Sequence, residues 1–406
     1  MGMGEESTRT WMLVLATVGF LVCFWAWALI SPLGPAYAKE LGLSAVQQSL
    51  LVAVPVVVGS LGRIPVGALT DRLGARTMFP MVAGLTIIPV LFVGLFGTSY
   101  PALLVGGFFL GIGGTAFAVG VPFVNGWFPP ERRGTAIGIF GAGMGGTAVS
   151  AFTTVAIADR WGRDAPFVLV AVVLAGYAVA ARLLLRDVPG RVPATGSFMA
   201  RAWTTFKRPV TLKLSLLYAI GFGGFVAFSV YLPTYLTNAF GLARSDAALR
   251  TAGFVVLAVA MRPVGGWLSD TWHPAPVLAA CFLAVAALAA LASLELALIP
   301  VGTVAFLGLA AFLGAASGAV FALVARLVEP PQVGAVTGIV GAAGGLGGFI
   351  PPLVMGVIYS RGHDYSLGLA LLALVSLGTA LFTWRAFGTG RARHPGAAAA
   401  AGGATT

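Results

Sequence analysis

The sequence predicts an all-α membrane protein: twelve transmembrane helices arranged as two pseudo-symmetric six-helix bundles. Three observations predict it. The chain is 58% hydrophobic and only 9% charged, far below the roughly 25% charged residues of an ordinary soluble domain. Apolar runs of about twenty residues recur along its length, each long enough to cross a hydrocarbon core as a helix. The second half also repeats the first. Arg63-Ile64-Pro65-Val66-Gly67 leads, eight residues after its arginine, to Asp71; Arg262-Pro263-Val264-Gly265-Gly266 leads to Asp270 at the same spacing, 199 residues further on.

The apolar runs place spans at 11–37, 46–70, 77–97, 101–125, 134–157, 166–185, 212–237, 247–269, 275–293, 299–325, 335–358 and 366–387. The longest break carries Pro189, Gly190, Pro193 and Gly196 and divides the spans six and six. The expected organisation is an N-terminal bundle over 1–185, a linker over 186–210 and a C-terminal bundle over 211–388. An Ala/Gly-rich tail over 389–406 is expected to be disordered.

Orientation follows from the basic residues. Sixteen Lys and Arg fall on the side of the N-terminus, side one, and six on side two; Arg63 and Arg262 complete the twenty-four. Excess positive charge marks the cytoplasmic face, so both termini and the linker are expected in the cytoplasm. The same scatter over short connections accounts for the net charge of +11 and speaks against a nucleic-acid partner. Cys23 and Cys281 each lie inside an apolar run, with no metal-ligand spacing, and read as packing residues. No basic stretch precedes the first apolar run, so a cleaved signal peptide is not expected.

The repeat extends further. Gly134-Thr135-Ala136-Ile137-Gly138-Ile139-Phe140-Gly141-Ala142 aligns with Gly334-Ala335-Val336-Thr337-Gly338-Ile339-Val340-Gly341-Ala342, and Phe109-Leu110-Gly111 with Phe312-Leu313-Gly314. Parallel six-span repeats hold substrate near the bilayer midplane, between the halves, and alternate access by rocking.

The turn after the second span reads Gly67-x-x-x-Asp71-Arg72-x-Gly74-x-Arg76. Gly67 would admit a neighbouring helix, Asp71 would meet a helix N-terminus or an arginine, and Gly74 would permit a left-handed turn. This pattern resembles the loop between the second and third spans of the major facilitator superfamily, and implies that fold. The second copy keeps Gly266 and Asp270 without the basic residues. The resemblance implies a conformational latch, not a substrate contact.

Arg63 and Arg262 are different. Each lies eight residues before the turn aspartate, roughly 12 Å along a helix, toward the middle of a core about 30 Å thick. A central arginine costs about 2.5–3.5 kcal/mol even on a lenient scale. All thirteen carboxylates fall in loops, tails or span edges, so the two cations call for a mobile anion. The planar guanidinium fork matches a flat oxyanion or a carboxylate. Nitrate and nitrite are small and flat; phosphate and sulfate would favour more polar walls than this sequence offers.

In the seventh span Tyr218 and Phe222 are four apart and share a helix face. In the fourth, Phe117 follows Gly113-Gly114-Thr115-Ala116. With the two arginines and the glycine-rich fifth and eleventh spans, these residues resemble the nitrate/nitrite porter family of that superfamily over essentially the whole chain. The resemblance implies substrate contacts at Arg63, Arg262, Phe117, Tyr218 and Phe222, with a flat anion between two guanidinium groups and aromatic walls. It implies nitrate and nitrite as partners, besides the lipid bilayer, with no cofactor and no metal. It also implies a monomer in the bacterial cytoplasmic membrane.

The runs Gly141-Ala142-Gly143-Met144-Gly145-Gly146 and Gly341-Ala342-Ala343-Gly344-Gly345-Leu346-Gly347-Gly348 correspond to that family's two signature segments. Small residues there let helix backbones approach and slide. The family usually carries asparagine where Gly146 stands, and Thr147 is the nearest hydroxyl.

No carboxylate or histidine lies within a span, since His273, His363 and His394 fall in loops or the tail. That favours nitrate/nitrite exchange, with proton-coupled nitrate symport or transport of another flat anion such as a carboxylate as alternatives. The absence of buried acids speaks against export of cationic compounds. Without a His-Glu-x-x-His motif, a Cys–His pair or a carboxylate dyad, nothing indicates an enzyme.

Overall fold

The computed structural model describes residues 2–129, 132–190, 203–328 and 333–388; the tail expected over 389–406 and residues 191–202 of the linker lie outside them. Among the described residues, 12 helices are long and apolar enough to span a membrane. They are α1 (Gly4–Leu41), α2 (Ala45–Leu73), α3 (Ala75–Phe96), α4 (Tyr100–Trp127), α5 (Ala136–Trp161), α6 (Ala165–Leu184), α7 (Pro209–Phe240), α8 (Arg244–Ser269), α9 (Pro274–Ala292), α10 (Leu298–Val324), α11 (Val336–Gly362) and α12 (Ser366–Gly388). Each overlaps one predicted span.

Local chemistry sets the ends. Ser44 and Gln47 form a reciprocal capping box at the start of α2, satisfying two otherwise orphaned N–H groups. Gly42 and Gly241 close α1 and α7 in the left-handed conformation, with φ of 62° and 64°. They lie 199 residues apart, so the repeat extends to the caps.

Small residues decide how the helices cross, because lipid supplies no hydrophobic drive between them. A methyl group on Gly114 of α4 would lie 2.9 Å from the Gly59 Cα of α2, and one on Gly59 would lie 3.3 Å from the Gly111 carbonyl. The second half uses the same crossing. A methyl group on Gly314 of α10 would lie 2.1 Å from the Ala258 carbonyl of α8, and one on Gly318 would lie 2.0 Å from that of Arg262. Both arginines therefore sit beside a tight helix crossing.

On side two, side-chain hydrogen bonds join the first six spans to the last six. Ser31 Oγ donates to the Val230 carbonyl at 2.6 Å, Gln48 Nε2 donates to Thr234 Oγ1 at 3.2 Å, and Ser49 Oγ lies 3.2 Å from the Tyr231 hydroxyl. Arg244 adds an ion pair to Asp159 at 3.4 Å. The Tyr231 hydroxyl continues to Tyr365, 3.2 Å away, which also accepts from Asn238. Burial pushes the Tyr365 phenol well up from its ordinary range, so it holds its proton in this network.

Candidate functional site

Arg63 and Arg262 are 6% and 7% exposed, and they are the only buried charged side chains among the described residues. Neither forms an ion pair with a described carboxylate, and no described Asp or Glu is buried.

Each arginine reaches into the other half. Arg63 follows a turn at Gly62 that interrupts α2. Its Nη1 donates to the Gly341 carbonyl of α11 at 2.6 Å, and its Nε to the Gly114 carbonyl at 3.3 Å. Arg262 of α8 places Nη1 against the Met144 sulfur of α5 and donates from Nη2 to the Tyr218 hydroxyl at 2.8 Å. A methyl group on Gly141, the repeat counterpart of Gly341, would lie 3.8 Å from Arg262. Among the described residues, Nη2 of Arg63 and Nε of Arg262 take no acceptor.

Aromatic rings enclose both groups. The Phe222 ring lies 5.7 Å from the Arg63 guanidinium carbon and 5.6 Å from that of Arg262. Phe117 faces Arg63 at 5.1 Å. Tyr218 stacks on Phe222 with 4.8 Å between centroids and 2° between planes, as their spacing of four predicts. All five expected side chains thus converge on one centre.

Two residues in that centre did not stand out in the sequence. Phe321 faces Arg262 at 5.9 Å, meets Tyr218 edge-on at 4.9 Å and lies 6.4 Å from Phe117. The repeat held its signal, because the offset of the Phe109/Phe312 segments carries Phe117 to within one residue of Phe321. Met144 was hidden as a spacer in a glycine run.

The signature glycines divide by what surrounds them. A methyl group on Gly344 would lie 2.2 Å from the Tyr218 ring, one on Gly143 2.6 Å from Phe20, and one on Gly345 2.1 Å from Ser60 Oγ. Gly145 and Gly266 face open space. At Gly146 the methyl group would lie 2.0 Å from the Leu21 carbonyl, so α1 backbone occupies the place of a side chain. The Thr147 hydroxyl donates to Met144 O of its own helix at 3.0 Å.

The charged turn differs in two respects from expectation. Gly74 has φ of 83° with ψ of 158°, a conformation that favours glycine but is extended and not the left-handed turn expected. Gly67 makes no tight crossing: a methyl group there would lie 4.0 Å from Ala118, an ordinary contact, because the close approach of α2 and α4 is already made at Gly59 and Gly114. Asp71, Arg72 and Arg76 are exposed. Asp187, in the linker just past α6, accepts from the Arg76 backbone N–H at 3.1 Å at the start of α3. It lines a cavity with Asp71 and Thr70. The Asp270 side chain lies outside the described part.

Twelve spans with doubled crossings around two buried cations define a multi-pass membrane transporter, not an enzyme. Residues 16–321 and 214–405 match the Major Facilitator Superfamily. The probable nitrate/nitrite transporter NarK2 of Mycobacterium tuberculosis (strain ATCC 25618 / H37Rv) is 49% identical over 374 residues, spanning 91% of this chain and 95% of that protein. The nitrite extrusion protein of Bacillus subtilis (strain 168) is 37% identical over 368 residues, spanning 90% and 91%. The crystal structure of the human organic anion transporter MFSD10 (TETRAN) shares the fold, with a TM-score of 0.73 at 15% identity over 92% of this chain and 99% of that one. The chain belongs to the nitrate/nitrite porter family of the major facilitator superfamily.

Proposed function

We propose that this protein carries nitrate and nitrite across the bacterial cytoplasmic membrane by alternating access, exchanging one anion for the other. The observation that carries the reading is the pair Arg63 and Arg262: both buried, both against Phe222, and neither paired with a carboxylate among the described residues. Nη2 of Arg63 and Nε of Arg262 are the donors for a flat oxyanion. The aromatic rings around them give it apolar walls that suit a weakly hydrated ion. Family membership, and the nitrate/nitrite transporter and nitrite extrusion protein among its relatives, support the choice of nitrate and nitrite.

Exchange follows from electrostatics. Two like charges repel in a medium of low dielectric, and an anion between them offsets that repulsion. Closing and reopening are then favoured with an anion aboard. The six-span bundles over 1–185 and 211–388 are the rocking bodies in this reading, with both termini and the linker in the cytoplasm and the monomer as the working unit.

Purified protein in liposomes loaded with nitrite, or with an inert anion, tests this at controlled pH and voltage. External nitrate should enter quickly only against internal nitrite. Equal uptake without nitrite, rising with an inward proton gradient, would refute exchange in favour of symport.

A further inference from the structure

The segment entering α7 has no part in the site. Trp203 to Phe206 form one helical turn, continued by the Lys207 N–H to the Trp203 carbonyl at 3.2 Å. Trp203 and Phe206, three apart, share a face, and their rings stack with 5.9 Å between centroids and 16° between planes. They are 59% and 44% exposed. Lys207 Nζ lies 4.9 Å over the Trp203 ring. Pro209, two residues later, opens α7.

We propose that this turn is a docking site for anionic lipid headgroups at the membrane surface beside α7. Position is the first argument: the turn ends where a membrane span starts, so its stacked rings lie at the level of the headgroups. Tryptophan is enriched there because its ring is apolar and its N–H polar. Charge is the second. The stretch from Leu185 to Val210 holds Arg186, Arg191, Arg201, Lys207 and Arg208 against a single acid, Asp187, and Asp187 is already engaged by the Arg76 backbone. Lys213 follows one turn into α7. The chemistry fitted is therefore a phosphate-bearing lipid of net negative charge, its phosphate at Lys207 and Arg208 and its glycerol region against Trp203 and Phe206. A turn held in this way would anchor one end of the connection between the two halves to the bilayer. The assignment does not depend on what the protein carries.

The test uses the full chain in vesicles of phosphatidylcholine alone, and of phosphatidylcholine with about one part in three phosphatidylglycerol. Tryptophan emission of the wild type minus that of Trp203→Phe isolates Trp203, and lipids brominated near the headgroup quench it in proportion to docking. Quenching should rise with phosphatidylglycerol. In the Lys207→Gln/Arg208→Gln double variant it should fall toward the zwitterionic level, with a docked-to-undocked ratio roughly thirtyfold lower. Quenching equal in the two vesicles, or unchanged in the double variant, would overturn the proposal. So would a Trp203 signal quenched by aqueous iodide and not by lipid, which would mark the turn as a surface for a soluble partner.

Discussion

Arg63, in the first half of the chain, donates to the carbonyl of Gly341, in the second, over 2.6 Å. Arg262, in the second half, rests against Met144 in the first. The two contacts are reciprocal, and each joins an arginine to the opposite half's signature segment. They are not equal, because a backbone carbonyl is a strong, fixed acceptor and a thioether a weak one. Arg63→Lys and Arg262→Lys keep the charge but lose the planar fork. With hydrogen bonds to charged groups at about 1.5–3 kcal/mol, each variant should lose transport by roughly tenfold to a hundredfold in the liposome assay. Wild-type rates in both would refute the site.

Among the described residues, Phe222 is the one ring within 6 Å of both guanidinium carbons, whereas Phe117 faces Arg63 alone. Cation–π contacts away from water contribute up to about 2 kcal/mol each. Phe222→Leu should therefore weaken the apparent affinity for nitrate more than Phe117→Leu does, by about tenfold or more against a few fold. Concentration dependence of uptake measures the two. The reverse order would show that the ring over Arg63 dominates.

Much of this was legible in the sequence because a bilayer leaves few options. A span must be an apolar helix, so α1 to α12 could be read from hydropathy. A buried cation without a buried acid is conspicuous, so Arg63 and Arg262 identified the centre. Helical spacing put Tyr218 and Phe222 on one face, and their place in the site, like that of Phe117, came from the resemblance to the nitrate/nitrite porter family. Other features were hidden because they depend on which residue lies opposite, and one sequence does not record that. Gly67 and Gly59 look alike in the chain, yet only Gly59 lies at a crossing. Asp187 sits in the linker 111 residues from the backbone it caps.

The same distinction separates two signature glycines. A methyl group on Gly344 would be driven into the Tyr218 ring, which is fixed by its stack on Phe222 and its bond to Arg262. One on Gly145 would meet nothing within 4 Å. Overpacking a closely packed interior costs about 1–3 kcal/mol. Gly344→Ala should thus lower nitrate affinity by about tenfold, with expression retained, while Gly145→Ala should transport like the wild type. Equal tolerance of both would refute the tight packing of α11 on the Tyr218 ring.

Gly146 allows a sharper trial. Its family commonly places asparagine here, and restoring it could be supposed to add an amide to the anion site. The α1 backbone forbids that, with the Leu21 carbonyl 2.0 Å and the Trp25 nitrogen 2.7 Å from the position of a Cβ. Backbone yields only if the whole helix moves. Gly146→Asn should lower the thermal unfolding midpoint of the purified protein and slow transport without improving affinity. A variant with unchanged stability and tighter nitrate binding would show that α1 retreats and that the site can accept the amide.

The contacts on side two offer a test of rocking itself. If the halves separate there to open the site, a covalent bond between them must stop transport. Gly34 of α1 and Thr234 of α7 face each other across this contact: a Cβ on Gly34 would lie 3.5 Å from Thr234 Oγ1 and more than 4 Å from Thr234 Cβ, and Val52 Cγ1, 2.7 Å away, would have to turn aside. Disulfides need Cβ atoms about 3.5–4.5 Å apart. The natural cysteines, Cys23 and Cys281, are both buried, so they should not compete for the oxidant. The Gly34→Cys/Thr234→Cys variant should carry nitrate when reduced, lose more than about nine-tenths of its uptake on oxidation, and recover with dithiothreitol, since a disulfide removes the separation and leaves the site intact. Each single variant should be insensitive to oxidant. Anion affinity measured by quenching of intrinsic fluorescence should persist in the oxidised, arrested protein, provided the anion can still enter from side one. Full transport by a variant shown to be crosslinked would mean that the halves do not part along α1 and α7. Access from side two would then have to open elsewhere, along α5 and α8, where the Arg244–Asp159 pair bridges the halves.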